Sequence, residues 1–470
     1  MNFVSWAFVG LFAVVFLARL TVGRRKTERP LTAIVLVAST IFVMWHVPAY
    51  LLIMLVSIGT DYVAAIYLDR LPDESRARRW ILAGSLTINL GLLGFFKYVN
   101  LAAPGLVSLL GLFGSRTPIP ALDFVLPMGI SFYTFCSMSY TIDVYRRQIR
   151  PVKRFVDFYY FVTFFPHLVA GPIIRASEFF YQLPRPRRLR LRVFNHGVWL
   201  IVCGAFLKMV CADNVGGVVD AHWKKAYQPG ASSLSALLLA VLFATQIFCD
   251  FAAYTSIARG LAYLMGFRFP LNFNSPYIAA SFRNFWERWH MTLSRWLRDY
   301  LYIPLGGNRR SPQRTYANLL AVMLLGGLWH GAALTFIVWG AVHGVALAVE
   351  RLLGLHDTRQ RPAAVRIAWF VVVQVVVLVA WVFFRSGSVP NAAAFVRNMF
   401  SLNFSAPVPG LLVAALFVLP VAAMHAYRFL VERGAVRPLP LGARAALAAA
   451  LVYATLVLYA PSSKFIYFQF

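Results

Sequence analysis

Acidic residues are scarce in this chain. Only 17 Asp and Glu stand among 470 residues, against 45 Lys and Arg, and charged residues make up 13% of the sequence. That is about half of the ~25% usual in a soluble domain. Hydrophobic residues make up 60%, and the mean hydropathy is +0.67. So little charge cannot keep so much apolar surface in water. A disordered chain, an ordinary cytosolic enzyme and a nucleic-acid-binding domain built on a soluble core are therefore excluded. Cysteine is scarce too. Cys136, Cys203, Cys211 and Cys249 lie in or beside apolar segments and form no C-x-x-C pair. Neither a disulfide framework nor a metal site is indicated, and the four read as small core residues. The ionic balance is +28. In a soluble protein this would point to nucleic acid. Here the basic residues sit in short blocks between apolar runs, so the anion they meet is a lipid headgroup or a charged substrate.

What the sequence does have is long uncharged runs. A membrane helix needs roughly 20 mostly apolar residues to cross ~30 Å of hydrocarbon. Twelve stretches lack Asp, Glu, Lys and Arg: 1–18, 31–60, 80–96, 98–115, 124–142, 158–174, 193–207, 226–249, 315–349, 367–384, 398–427 and 445–463. They predict an all-α polytopic membrane protein. Stretch 315–349 would run about 50 Å as one helix, so it is expected to be a span plus a re-entrant piece, or two short spans. Stretch 98–115 carries Pro104, Gly105, Gly111 and Gly114 and is a poor simple span. No basic segment precedes Phe3–Ala18, which reads as a membrane anchor rather than a cleaved signal, with Arg24, Arg25, Lys26 and Arg29 just after it. No repeat, low-complexity tract or long linker appears; 433–444 reads as a loop, and 1–470 as one integral membrane domain.

Basic blocks mark cytoplasmic loops. One block is Arg146, Arg147, Arg150, Lys153 and Arg154; the next is Arg175, Arg185, Arg187, Arg188, Arg190 and Arg192. Between them lies only 158–174, which contains Phe164-Phe165-Pro166-His167-Leu168-Val169-Ala170-Gly171-Pro172. Proline and glycine break helices. The segment is therefore expected to dip into the membrane and return, leaving both blocks cytoplasmic. Irregular backbone at membrane depth survives only where protein or a water-filled cavity covers it, so the dip implies a central cavity.

Ionisable residues inside a membrane are costly and often functional. His330 lies deep in an uncharged run, in Gly326-Gly327-Leu328-Trp329-His330-Gly331, where small neighbours let a backbone or thin ligand approach. A catalytic or transport role competes there with a histidine that bonds a neighbouring helix. His343 repeats the pattern in Gly340-Ala341-Val342-His343-Gly344; on one continuous helix it would point well over a right angle away, so a structural role is expected. His46 and His425 lie near span ends, where an interfacial role suffices. His167 would line the cavity or cap backbone groups. Asp143 is explained by a helix ion pair with Arg146 and Arg147. Lys97 and Lys208 end spans and would snorkel; neither these nor Asp250 is expected to be catalytic.

Phe282–Tyr302 reads as one amphipathic helix. Phe282, Phe285, Trp286, Trp289, Leu293, Trp296, Leu297 and Tyr300 form an aromatic face, with Arg283, Arg288, Arg295 and Arg298 crowding the rest. A helix lying flat at the lipid headgroups would show the same pattern. His290 sits at the edge of the aromatic face, a turn from Trp286, Glu287 and Ser294. The following loop, Pro304-Leu305-Gly306-Gly307-Asn308-Arg309-Arg310, is flexible and basic. Its backbone N–H groups and arginines suit phosphate, although the spacing matches no Walker or dinucleotide motif.

At these residues the chain resembles the membrane-bound O-acyltransferase (MBOAT) family, in particular its branch of alginate O-acetyltransferase membrane subunits and related bacterial polysaccharide enzymes. The resemblance rests on Asn284 through Arg309 and on Gly327-Leu328-Trp329-His330-Gly331-Ala332. Phe165 through Ile173, Trp381-Val382-Phe383-Phe384-Arg385 and the terminal Phe465 through Phe470 support it. It covers roughly 90–470; the first 80 residues, the N-terminal spans, match only in character. The run Asp250-Phe251-Ala252-Ala253-Tyr254-Thr255-Ser256 departs from the family, which more often has Ser-Gly after the Phe and Asp after the second Ser.

The resemblance implies an MBOAT-type helical bundle with re-entrant segments, thin at its centre and pierced by a central tunnel. It implies that His330 is the family's invariant histidine and His290 the second polar residue of the site. The candidate substrate- or donor-binding residues are then Trp286, Trp289, Ser294, Arg298, Gly306, Gly307, Asn308, Arg309 and Trp329. The implied donor is cytoplasmic acetyl-CoA, with no tightly bound cofactor and no metal. The implied acceptor is a hydroxyl of an exported polysaccharide, reached directly or through a periplasmic acyltransferase partner. Membrane lipid and the polysaccharide-export machinery complete the expected partners, nucleic acid is not among them, and the location is the bacterial inner membrane. Alternatives are transfer of D-alanine or another acyl group to a cell-wall polymer, an acyl-group transporter without its own chemistry, and a scaffold for periplasmic enzymes. The topology has a direct check. Single cysteines at positions 150 and 187 should both be labelled from the cytoplasmic side by a membrane-impermeant maleimide.

Overall fold

The computed structural model describes residues 3–22, 29–45, 47–112, 126–168, 171–183, 189–357, 361–408, 410–461 and 465–466. Among these the chain is helical and has no strand. It divides into two compact units, 1–198 with 258–270, and 199–257 with 271–470. The first contains α1 (Trp6–Val22), α2 (Arg29–Met44), α3 (Tyr50–Arg70), α4 (Arg76–Leu112), α5 (Ile130–Tyr145), α6 (Phe155–Thr163), α7 (Phe165–Leu168) and α8 (Ala176–Phe180). Helix α9 (Leu191–Phe206) runs on into the second unit, where a π-turn, Leu207–Ala212, leads to α10 (Asp213–His222). Then come α11 (Ser233–Leu264), α12 (Phe282–Trp286), α13 (Met291–Leu297), α14 (Pro312–His330), α15 (Leu334–Leu352), α16 (Ala363–Arg385), α17 (Val389–Met399), α18 (Leu411–Ala415), α19 (Leu419–Glu432) and α20 (Leu441–Leu458).

Eight helical segments among the described residues are long and apolar enough to span a bilayer, and two shorter apolar helices, Trp6–Thr21 and Pro30–Met44, accompany them. The chain is a multi-pass membrane protein. Stretch 98–115 supplies no span of its own, but the helix starting at Arg76 continues through Pro104 to Leu112. Stretch 158–174 is broken at Phe164, whose φ of −52° and ψ of 103° are not helical. The helices on either side have nine and four residues, too short to cross. Gly171 is required there, because a Cβ would fall 2.4 Å from the Cα of His167. The His167 ring is buried among Phe161, Phe164, Phe179 and Phe269. Neither of its nitrogens has a hydrogen-bond partner among the described residues, so it packs as a ring and caps no backbone group. Arg24, Arg25, Lys26, His46, Arg185, Arg187 and Arg188 lie outside the described residues.

Buried polar groups survive only with partners. Asp61, fully buried on α3, accepts hydrogen bonds from Ser85, Asn89 and Ser137, and Ser57 donates to Asn89 Oδ1 at 2.5 Å. This network joins α3, α4 and α5, and nothing in the local sequence around Asp61 announced it. Arg147 forms no helix pair with Asp143. Helix α5 has already ended, Arg147 has φ +60°, and its guanidinium meets Asp69 at 3.1 Å and Asp73 at 2.9 Å.

Lys208 corrects a second expectation. It does not snorkel. It is completely buried on the π-turn, 2.7 Å from Asp213 and 2.9 Å from Asp250. Asp250 Oδ2 also accepts the Ile466 N–H at 2.6 Å. The wider turn carries the ammonium inward rather than along the helix toward water. One cation between two carboxylates is stable only as a set, because removing the cation strands two buried charges. Lys208→Met should therefore cost about 3–5 kcal/mol, read as a large fall in the melting temperature of detergent-solubilised protein. Adding Asp250→Asn to that variant should recover part of the loss.

Candidate active site

The 315–349 run folds as two antiparallel helices, α14 and α15, with the chain reversing at Gly331–Ala333. Backbone contact fixes their approach. A Cβ on Gly327 would lie 2.2 Å from Phe336 O, one on Gly340 2.4 Å from Met323 O, and one on Gly344 2.9 Å from Leu320 Cδ1. Small residues at a helix crossing allow this distance. Since the helix breaks, the angular argument separating His330 from His343 does not apply. Both imidazoles touch the Trp339 indole, at ring-centroid distances of 5.0 and 4.9 Å.

His330 occupies the last position of α14, at 5% exposure. Trp329, Trp339 and Phe384 wall it, with centroids at 4.9, 5.0 and 5.2 Å. His343 stacks on Phe285 at 5.8 Å and has no hydrogen-bond partner among the described residues. Its surroundings are aromatic packing, in keeping with a structural role.

Phe282–Tyr302 is not one helix. It breaks after Trp286 and restarts at Met291, with His290 between at φ +40° and ψ +50°. A left-handed conformation is costly for a residue with a Cβ and persists only where the surrounding structure holds it. The break turns Trp286, Trp289 and His290 toward different neighbours. Trp286 meets Trp339 and His343, Trp289 meets Trp381, and His290 meets Phe251, Phe273 and Trp329. Trp329 thus stands between the two histidines, 6.1 Å from one ring and 4.9 Å from the other. Burial pulls the His290 imidazole down to about 3, so its ring is neutral. The indole N–H groups of Trp286, Trp339 and Trp381 find no hydrogen-bond acceptor among the described residues.

Two buried polar residues carry no signal in the sequence pattern. Glu350, at the end of α15, accepts the backbone N–H groups of Phe282 and Arg283, at 2.5 and 2.9 Å, and Trp369 Nε1 at 3.3 Å. It docks the first turn of α12, and its one mark in the sequence is that it closes a 35-residue uncharged run. Asn272 Oδ1 meets His290 Nδ1 at 3.1 Å, the Thr292 N–H at 3.2 Å and Thr292 Oγ1 at 2.8 Å. It lies in a segment without periodicity, so pattern reading has no hold on it.

The remaining candidates make contacts of their own. Glu287 turns outward to Arg283 and Asn284, away from His290. Ser294 donates to Trp289 O at 3.3 Å. Arg298 pairs with Asp299 at 2.6 Å. Gly306 and Gly307 adopt φ of +109° and +55°, and Asn318 Nδ2 holds the carbonyls of Leu305 and Gly307 at 3.3 and 3.0 Å. The loop, with exposed Asn308 and Arg309, is therefore fastened near the start of α14. His330 ends the same 19-residue helix, about 27 Å along its axis. His425 is buried, with Nδ1 2.8 Å from Val421 O and its ring between Phe248 and Tyr277.

The family model described as MBOAT, membrane-bound O-acyltransferase family, matches residues 8–389. A relative from Pseudomonas aeruginosa described as a probable alginate O-acetylase, AlgI, is 39% identical over 404 residues, covering 86% of this chain and 75% of its own. A peptidoglycan O-acetyltransferase from Helicobacter pylori is 34% identical over 398 residues, covering 79% and 73%. A teichoic acid D-alanyltransferase from Streptococcus thermophilus is 31% identical over 235 residues, covering 47% and 56%. The helix crossing that positions His330 gives a test independent of chemistry. Gly327→Ala should force α14 and α15 apart and lower both the melting temperature and the yield of folded protein. Gly10→Ala, which meets nothing within 4 Å, should change neither.

Proposed function

We infer the activity from one premise: the chain belongs to the membrane-bound O-acyltransferase family. Within it, the reading we propose is an O-acetyltransferase of the bacterial inner membrane. It takes an acetyl group from cytoplasmic acetyl-CoA and delivers it to hydroxyls of an exported polysaccharide, directly or through a periplasmic acyltransferase. The observation that carries the reading is the surround of His330, a nearly buried imidazole walled by aromatic rings and in contact with an indole whose N–H has no acceptor among the described residues. The relatives named for alginate and peptidoglycan O-acetylation support acetyl as the group and a glycan as the acceptor.

A hydroxyl attacks a thioester only as its proton leaves. His330 takes that proton while the hydroxyl oxygen bonds to the acyl carbon. The carbon–sulfur bond then breaks, and the departing thiolate recovers the proton from the imidazolium. The carbonyl oxygen gains negative charge between these steps, and indole N–H donors such as that of Trp339 offset it. Aromatic walls exclude water, which would otherwise hydrolyse the thioester. The basic loop at Gly306–Arg309 suits the phosphates of a donor that reaches His330 on a long thioester arm. A tunnel admitting donor and acceptor from opposite membrane faces completes the reading.

A second reading within the family transfers D-alanine to a cell-wall polymer, favoured by the shorter match to the teichoic acid enzyme. Purified protein supplied with acetyl-CoA and carrier-bound D-alanine in parallel separates the two. Thioester cleavage of either donor also separates an enzyme from an acyl-group transporter. Labelled acetyl transfer from acetyl-CoA into the glycan fraction of membranes checks the role of His330. His330→Ala should lose at least about 100-fold in rate at unchanged membrane abundance, and near-normal turnover would end the assignment.

A further inference from the structure

We propose that Asn272 is a positioning residue that fixes His290 in the tautomer protonated at Nδ1, so that Nε2 presents a lone pair within the site. The inference rests on the transferase reading and makes Nε2 of His290 a hydrogen-bond acceptor beside the base His330, not a donor to the developing oxyanion. It follows from which groups can meet. The Thr292 backbone N–H can only donate, and it points at the Asn272 amide from 3.2 Å. The atom facing it is therefore the carbonyl oxygen, since the amide NH2 would set donor against donor. The Thr292 hydroxyl donates to the same oxygen at 2.8 Å. His290 Nδ1 lies 3.1 Å from that oxygen, and a lone pair there would face another lone pair. Nδ1 therefore carries the ring's one proton.

Backbone pairing keeps this arrangement from relaxing. Met291 N–H donates to Asn272 O at 2.9 Å, and Asn274 N–H to Arg288 O at 2.9 Å, so 272–274 is tied to both sides of the helix break. Asn272 is 1% exposed and His290 fully buried. Water is therefore in no position to rearrange the bonds. The positive φ of His290 fits the same design, since that backbone turn brings Nδ1 back to Asn272 while the ring stays against Phe251 and Trp329. The amide thus does for His290 what a second partner does for any imidazole: it selects which nitrogen is basic.

Two measurements decide it. The first is 15N NMR of histidine-labelled protein in detergent micelles, with His290 assigned by its loss in His290→Gln. A protonated Nδ1 and bare Nε2 support the inference, and a protonated Nε2 overturns it. The second compares Asn272→Leu, which keeps the volume without an acceptor, with Asn272→Asp, which keeps the acceptor. Loss of an orienting partner typically costs 10–100-fold. Leu is expected to lower kcat by about that factor with the KM for acetyl-CoA within about threefold, and Asp to restore most of it. Normal kcat in the Leu variant, or a loss that Asp does not repair, overturns the inference. If the Leu variant does not fold, the spectrum of the unaltered protein alone decides between the two tautomers. Absence of acetyl transfer alongside an Nδ1-protonated ring would overturn the proposed activity and leave the tautomer assignment standing.

Discussion

The contact between α14 and α15 governs the second unit. Lipid tails are as apolar as the helices, so burial alone does not press two membrane helices together; close packing must. Gly327, Gly340 and Gly344 allow backbone to meet backbone, and Gly331 gives the chain room to reverse beside the Phe336 ring. The reversal ends α14 at His330 and brings Trp339 onto it. Any side chain at Gly327 would move the imidazole and its wall together. The histidine is thus placed by residues with no chemistry of their own.

Much of the fold could be read from the sequence, because membrane insertion leaves a coarse signature. Uncharged runs marked spans, and the paired Pro and Gly around His167 marked a break. The division of 315–349 followed from length alone. Less of the site was legible. His330 and His290 stood out as ionisable residues in apolar or aromatic surroundings. Their neighbours did not. Trp339 and Phe384 reach His330 from other helices, and Asn272 reaches His290 from an irregular segment. Helical periodicity describes one element, whereas these contacts join elements. The same limit explains the misreading of Lys208. At the end of a run, an ammonium that reaches water and one turned inward by a π-turn look identical in sequence.

The break at His290 shows how local strain and tertiary support coexist. An unbroken helix from Phe282 to Tyr302 would satisfy its own backbone and present one aromatic stripe. Breaking it costs those bonds and places a histidine in the left-handed region. Glu350 offsets part of the cost by accepting two N–H groups at the start of α12, and Asn272 by accepting Thr292 N–H at the start of α13. Both helix beginnings are therefore capped by distant side chains rather than by their own sequence alone.

That dependence has a consequence for how substitutions spread. Phe251 lies against His290, and its neighbour Asp250 holds the Ile466 N–H while pairing with Lys208. Phe465, beside Ile466, packs on Phe251 and Tyr254. The buried ion set and the imidazole thus share one wall. Replacing Lys208 releases the restraint on Asp250, and with it the hold on the chain at Ile466 that keeps Phe465 behind Phe251. Such a change acts on His290 through packing, so it loosens the ring without altering which of its nitrogens Asn272 engages. Support of the wall and choice of tautomer are separate duties, carried by different residues around the same imidazole.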